Sequence, residues 1–372
     1  MTLLTYMLRE AANDSFIENS NYQPNLQFKI PQKSKKIYFS ELAKIAIESE
    51  FRKERIGEIT AQTFNMFCSR VNSNMLTFFG ALEVNHIRSK QILNFIEFLS
   101  NKSIKAITIK QYLGLLKRIL SIAVLEGFLE SLPVFPRIKS KSIPRASLSI
   151  SEYLRVLRSA KAMSKIELSS DRITHRNTAN NLYVKDGPIP HDIQSLIGFM
   201  TNTFLRPVDI KLIKHKHVQV IENKTSYLKI NLPETKSHIG QIVSLRAAVR
   251  IYKRLKALGI EKGYGNADDY VFLPHISRRE TAIQAISHLF GRILRAENLE
   301  VNGDGQKRSL YSLRHTAITF RLIYGQGIDL LTLARNARTS VEMIEKFYSS
   351  NLQAEMNVDI LQSKRTKQRL AS

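Results

Sequence analysis

YSLRHTAITF, residues 311–320, places a tyrosine, an arginine and a histidine within five residues at the start of an amphipathic helical pattern. Three polar groups crowded into one helix start need a partner. A helix N-terminus, with unpaired N–H groups and the positive end of the dipole, favours an anion. Which anion it is depends on the rest of the chain.

Lys and Arg number 56 against 32 Asp and Glu, a net charge of +24 over 372 residues. Such an excess points to a polyanionic partner, either nucleic acid or an acidic membrane surface. No run of about 18 apolar residues and no lipidation signal is present, and MTLLTYMLREAAND turns acidic too early for a secretory leader, so nucleic acid is the favoured reading. One cysteine, Cys68, excludes an internal disulfide framework and fits a reducing cytoplasm. The 43% hydrophobic content can fill the cores of two or three domains.

Residues 1–37 show little periodicity and read as an N-terminal arm. From Tyr38 the pattern turns helical: SELAKIAIESEFRKE with Ser40 as its N-cap, then TAQTFNMFCSRVNSNMLTFFGAL, SKQILNFIEFLSNK and TIKQYLGLLKRILSIAVLEGFL. Together these predict a four-helix domain over 38–132. In its last helix Tyr112, Leu115, Leu116, Ile119, Leu120 and Ala123 form one stripe, and Lys110, Lys117 and Arg118 lie outside it. Residues 133–149 hold three prolines together with Arg137, Lys139, Lys141 and Arg145, and read as an extended linker. It either lies along phosphates or is a solvated hinge. A second domain, 150–350, opens with a serine cap at SISEYLRVLRSA. Residues 166–188 read as an insertion or loop, IPHDIQSLIGFMTNTF as a buried helix, and HVQVIENKTSYLKINLPETKSHIGQIVSL as strands with turns at ENK and KSHIG. Helical patterns resume at RAAVRIYKRLKALG, TAIQAISHLFGRILRAEN, RHTAITFRLIYG, DLLTLARNA and SVEMIEKFY. The expected fold is mainly α with a small antiparallel sheet.

No Gly-rich phosphate loop, paired-cysteine motif or HExxH stands in the chain. His215 and His217 alternate in KHKHV and would share a strand face, but no carboxylate or cysteine accompanies them as a metal ligand. Metal-free chemistry on a phosphodiester needs a nucleophile, fixed cations for the phosphoryl oxygens and an acid for the leaving oxygen. Arg206 in TNTFLRPVD and Arg314 in YSLRHT suit the second task, because the guanidinium fork binds two phosphate oxygens at once. Lys236 in TKSHIG suits the third, and Tyr348 in IEKFYSS the first. Taken singly, each is a weak signal among 56 basic residues and 13 tyrosines.

Their order is more specific. Residues 38–350 resemble the tyrosine recombinases, or phage integrase family, in which a helical core-binding domain and a catalytic domain clamp DNA. The family pattern has an arginine followed three residues later by an acid, matched by Arg206 and Asp209 in FLRPVD. A hairpin lysine follows, matched by Lys236, and then His-x-x-Arg, matched by Tyr311-Ser-Leu-Arg314. A His or Trp stands nine residues before the nucleophilic tyrosine; counting back from Tyr348 gives Thr339, with Arg338 in place of the usual preceding glycine. Tyr311 and Thr339 thus depart from the common pattern, although TSVEMIEKFY is similar to a bacterial and prophage branch.

The resemblance implies a site-specific DNA recombinase of a mobile element, cutting and rejoining double-stranded DNA without metal, ATP or another cofactor. Tyr348 would form a 3′-phosphotyrosine, Arg206 and Arg314 would stabilise the phosphoryl charge, Lys236 would protonate the leaving oxygen, and Tyr311 and Thr339 would donate hydrogen bonds. Asp209 would orient Arg206. His315 either braces the site or is an ordinary core histidine. Lys110, Lys117, Arg118, Arg137, Lys139, Lys141 and Arg145 are the expected DNA contacts of the helical domain and linker. Strand exchange would run through a Holliday junction in a homotetramer, with accessory DNA-bending or directionality factors. Residues 351–372 hold a helical pattern and a basic tail; the helix would pack into a neighbouring protomer or fold back on its own domain. A type IB topoisomerase-like activity, or a DNA-binding relative that no longer cuts, are the alternatives.

Overall fold

The computed structural model describes residues 36–139, 145–165, 187–233, 240–325 and 327–348, which divide into two units, 36–139 and 145–348.

The first unit is helical: α1 Phe39–Arg55, α2 Ala61–Arg70, α3 Leu76–Phe79, α4 Ser89–Asn101 and α5 Ala106–Leu125. Tyr38, not Ser40, caps α1. Phe39 is fully buried and must already be inside the first turn, and the Glu41 carboxylate reaches back to accept the Tyr38 N–H at 2.9 Å. The single helical pattern over 60–82 is interrupted by a π-turn, Val71–Met75, between α2 and α3. This extra residue turns Asn74 inward, where its amide donates to Tyr112 Oη at 2.7 Å and accepts from Lys102 Nζ at 3.0 Å.

Around this polar pair the core is aromatic, with the Phe79 ring 5.3 Å from Phe39 and 4.8 Å from Phe95. On α5 the buried stripe is Ile109, Tyr112, Leu113, Leu116, Ile119, Leu120 and Ala123, whereas Leu115 lies at its margin. Lys110, Lys117 and Arg118 are exposed. Part of the expected linker belongs to this unit, because Leu132, Phe135 and Ile138, three residues apart, pack against its core while Arg137 and Lys139 stay exposed.

The second unit comprises α6 Ile150–Met163, α7 His191–Thr203, α8 Pro207–Leu212, β1 Val218–Glu222, β2 Ser226–Ile230, β3 Ile242–Val243, α9 Arg246–Glu261, α10 Arg279–Ala296, α11 Leu310–Tyr324, α12 Leu330–Asn336 and α13 Val341–Tyr348. Ser149 caps α6 in a reciprocal box: its Oγ accepts the Glu152 N–H at 3.2 Å, and Glu152 accepts the Ser149 N–H at 2.8 Å. The end of the expected linker is already part of this unit, since Ala146 and Leu148 are buried and the Leu148 N–H donates to Thr316 Oγ1 at 2.9 Å.

Helix α7 is buried over most of its length and sits centrally, packed by α6, α9 and α11; Phe199 meets Phe272 edge-on at 5.4 Å. The sheet is antiparallel in the order β1-β2-β3, with Val218 opposite Ile230 and Lys229 opposite Val243. Leu228 and Ile230 enter the core from β2, as alternation requires. His215 and His217 do not share a strand face. They form a 3-10 turn before β1, in which His215 is buried against Tyr252 Oη at 3.0 Å and His217 Nδ1 accepts the Lys214 N–H at 3.1 Å. A smaller cluster of Phe204, Ala317, Ile318, Leu333, Ala334, Ala337, Ile344 and Tyr348 joins α11, α12 and α13 to the end of α7. Among the described residues no helix is long and apolar enough to cross a membrane.

Candidate active site

TNTFLRPVD is a helix end followed at once by a helix start. Phe204 terminates α7 in the left-handed region at φ 59°, Arg206 is extended, and Pro207 begins α8 where no N–H is required. Asp209 then accepts the Arg206 N–H at 2.8 Å. In α11, residues three and four apart share a face, so Tyr311, Arg314 and His315 rise together from its first turn. Tyr348 closes α13 and is buried.

These elements converge. The Tyr311 and His315 rings are 5.1 Å apart, as are the His315 and Tyr348 rings, so the imidazole lies between two phenols. Arg314 is only 2% exposed and donates through its two terminal nitrogens to the carbonyls of Phe204 and Ala337. Arg206 donates to the Arg338 carbonyl. Both arginines are therefore aimed by the carbonyl ends of α7 and α12, where the helix dipole favours a cation. A guanidinium has five N–H donors, so each retains donors for an anion.

Burial is not by itself a sign of this role. Arg279 spends its fork on the carbonyls of Lys211, Phe272, Leu273 and Ile276 and lies 4.0 Å over the Tyr270 ring, which makes it a scaffold residue.

The electrostatics describe a site short of negative charge. Burial, and then the neighbouring Arg206, lower the Arg314 pKa. Burial drives the Tyr348 hydroxyl well above the usual phenol range, opposed by Arg314 and Arg206. Burial and the Arg314 charge hold His315 down at about 4, so its imidazole is neutral at pH 7. An anion bound between the arginines would relieve their repulsion. Their field already favours the phenolate.

Asp209 does not hydrogen-bond the Arg206 side chain among the described residues. It fixes the backbone of Arg206, and its Oδ1 lies 3.6 Å from the Arg338 guanidinium. Thr339 follows in the turn after α12, its N–H bonded to Ala334 O at 2.9 Å. Its hydroxyl makes no hydrogen bond among the described residues. Lys236 and Lys141 lie outside the described residues. In the first unit Lys110, Lys117, Arg137 and Lys139 are exposed, as is Arg145 at the start of the second. Arg118 is paired with buried Glu50 and stands 5.7 Å over the Phe67 ring, so its charge is partly spent inside its own unit.

In the sequence Arg338 shows only as a replaced glycine, and the carbonyls of Phe204, Ala337 and Arg338 are registered by no side-chain motif.

Neither a family model nor a curated protein sequence matches the chain. Solved structures do, and the fold is that of the tyrosine recombinases. A lambda integrase dimer bound to a COC′ core site superposes with a TM-score of 0.61 at 15% identity, covering 85% of this chain and 78% of that one. A lambda integrase tetramer bound to a Holliday junction gives 0.58 at 14%, covering 91% and 87%. The Tn1549 transposon integrase in complex with transposon right end DNA gives 0.59 at 14%, covering 84% and 95%.

Proposed function

We propose that the chain is a DNA strand transferase of the site-specific recombinase type, with Tyr348 as nucleophile. The observation that carries this reading is the convergence of Arg206, Arg314 and a buried Tyr348 from separate segments, with both guanidinium groups aimed by carbonyls rather than held by carboxylates. Tyr348 Oη gives up its proton to solvent and attacks a scissile phosphorus as the bond to the 5′-oxygen breaks, giving a 3′-phosphotyrosine and a 5′-hydroxyl. Arg206 and Arg314 carry the charge on the non-bridging oxygens, the largest contribution such a site makes. Lys236 supplies the proton to the departing oxygen, and exposed Tyr311 donates to a phosphoryl oxygen. A 5′-hydroxyl of a second duplex then reverses the step.

In this reading residues 38–132 are the core-binding domain and 150–350 the catalytic domain. The strand exchange runs in a homotetramer on DNA, the assembly in which lambda integrase is seen. Residues 1–35 of the expected arm, and the expected tail, 351–372, which would pack into a neighbouring protomer or fold back on its own domain, lie outside the described residues.

The test is covalent trapping. Duplexes selected from a random pool by the native protein are rebuilt with a nick and incubated in EDTA. The expected product is a protease-sensitive protein–DNA adduct with the native chain and none with Tyr348→Phe. Tight binding without an adduct would instead make the chain a DNA-binding relative that does not cut, and relaxation of supercoils by a monomer would make it topoisomerase-like.

A further inference from the structure

The turn after α12 is a Schellman motif: the Arg338 N–H donates to Arg335 O at 3.0 Å and the Thr339 N–H to Ala334 O at 2.9 Å. The residue at the crossing of these bonds must adopt positive φ, which glycine does without hindrance and a residue with a β-carbon does not. Arg338 occupies that position at φ 51°.

Both ends of Arg338 are engaged with the candidate site. Its side chain is 1% exposed, with Nη1 3.6 Å from Asp209 Oδ1, and its carbonyl accepts from the Arg206 guanidinium. The other Asp209 oxygen accepts the Arg206 N–H. These contacts close a ring, from the Arg206 backbone to Asp209, to the Arg338 side chain, to the Arg338 carbonyl and back to the Arg206 side chain.

The ring also sorts charge. A buried aspartate three residues from Arg206 would, without another partner, pair with the Arg206 guanidinium and compete with phosphate for it. Arg338 takes up that aspartate instead. Resting on the function proposed above, we infer that Arg338 is a positioning residue, which occupies Asp209 so that the remaining donors of the Arg206 guanidinium are kept for the scissile phosphate.

The experiment compares single-turnover adduct formation and DNA affinity for the native protein, Arg338→Gly, Arg338→Lys and the double variant Arg338→Gly with Asp209→Asn. Glycine suits the turn, so Arg338→Gly removes the side chain without opposing the backbone. The expected loss in cleavage rate is about 10- to 100-fold, as for a misplaced reacting group, with the dissociation constant changed by no more than about two-fold. Asn at 209 can still accept the Arg206 N–H but no longer carries a charge, so the double variant recovers most of the rate, as does Arg338→Lys. A purely structural role for Arg338 would not be rescued by removing a charge at 209. Native-like cleavage by Arg338→Gly, or a double variant no faster than it, overturns the inference. Should Arg338→Gly fail to melt cooperatively, Arg338→Gln replaces it with the same expectations. No adduct from the native protein overturns the proposed function, and this inference with it.

Discussion

At the scale of residues, the two arginines are alike in charge and unlike in dependence on the fold. Arg206 is partly exposed, so Arg206→Ala should leave the fold and most DNA binding intact while lowering single-turnover cleavage by about 10²–10³. Arg314→Ala should lose cleavage too, and in addition strand two buried carbonyls, at about 1–3 kcal/mol each in thermal unfolding. His315 gives a pH test. Its folded pKa, about 4, lies below the 6.5 of the free side chain, so its contribution to stability is present above pH 6.5 and is lost as pH falls toward 4. The full difference is about 3 kcal/mol, and His315→Gln should flatten the acid limb of a urea-unfolding series by that order. Tyr348, Arg206 and Arg314 could be singled out as candidates from the sequence because their order and spacing match the pattern. Arg338 could not, because its part lies in a backbone angle and in burial. A motif reading registers it only as a glycine that is missing.

At the scale of elements, sequence periodicity located α7, α11, α12 and α13 around the site but not α8, whose six residues Pro207–Leu212 are too few to show a period. Ser149 and its partner Glu152 form a box written in four residues, and Ser149→Ala should cost about 1 kcal/mol in urea unfolding, recovered in part by Ser149→Asp. Ser40 carried the same local signal and lost to Phe39, whose burial started the helix earlier. The π-turn at Val71–Met75 was hidden for a similar reason, since the apolar pattern runs through it and only the inward Asn74 requires it. KHKHV reads as alternation until His215 is seen to need Tyr252, a partner 37 residues away. Residues 133–139 looked like free linker because proline and charge dominate the composition. Three apolar side chains at a spacing of three were enough to attach them to the first unit.

At the scale of the whole molecule, the excess of 24 positive charges is not all available to DNA. Arg279 is satisfied by carbonyls, Arg308 by Glu152 and neighbouring carbonyls, and Arg118 by Glu50. Binding should still weaken with salt, with a slope of about −0.9 per phosphate neutralised in a titration of log affinity against log salt. Arg118→Ala should leave that slope nearly unchanged and destabilise the first unit, whereas exposed Lys110→Ala and Lys117→Ala should each lower it by about one if they meet phosphates.

The braces on Arg314 and Arg206 have a consequence for descent. They are peptide carbonyls, so no substitution deletes them as long as the turns keep their shape. The side chains at 204 and 337 are then free to drift within the limits of packing, while the two arginines go on pointing the same way. A lineage built on such braces can lose most of its recognisable letters before it loses its geometry.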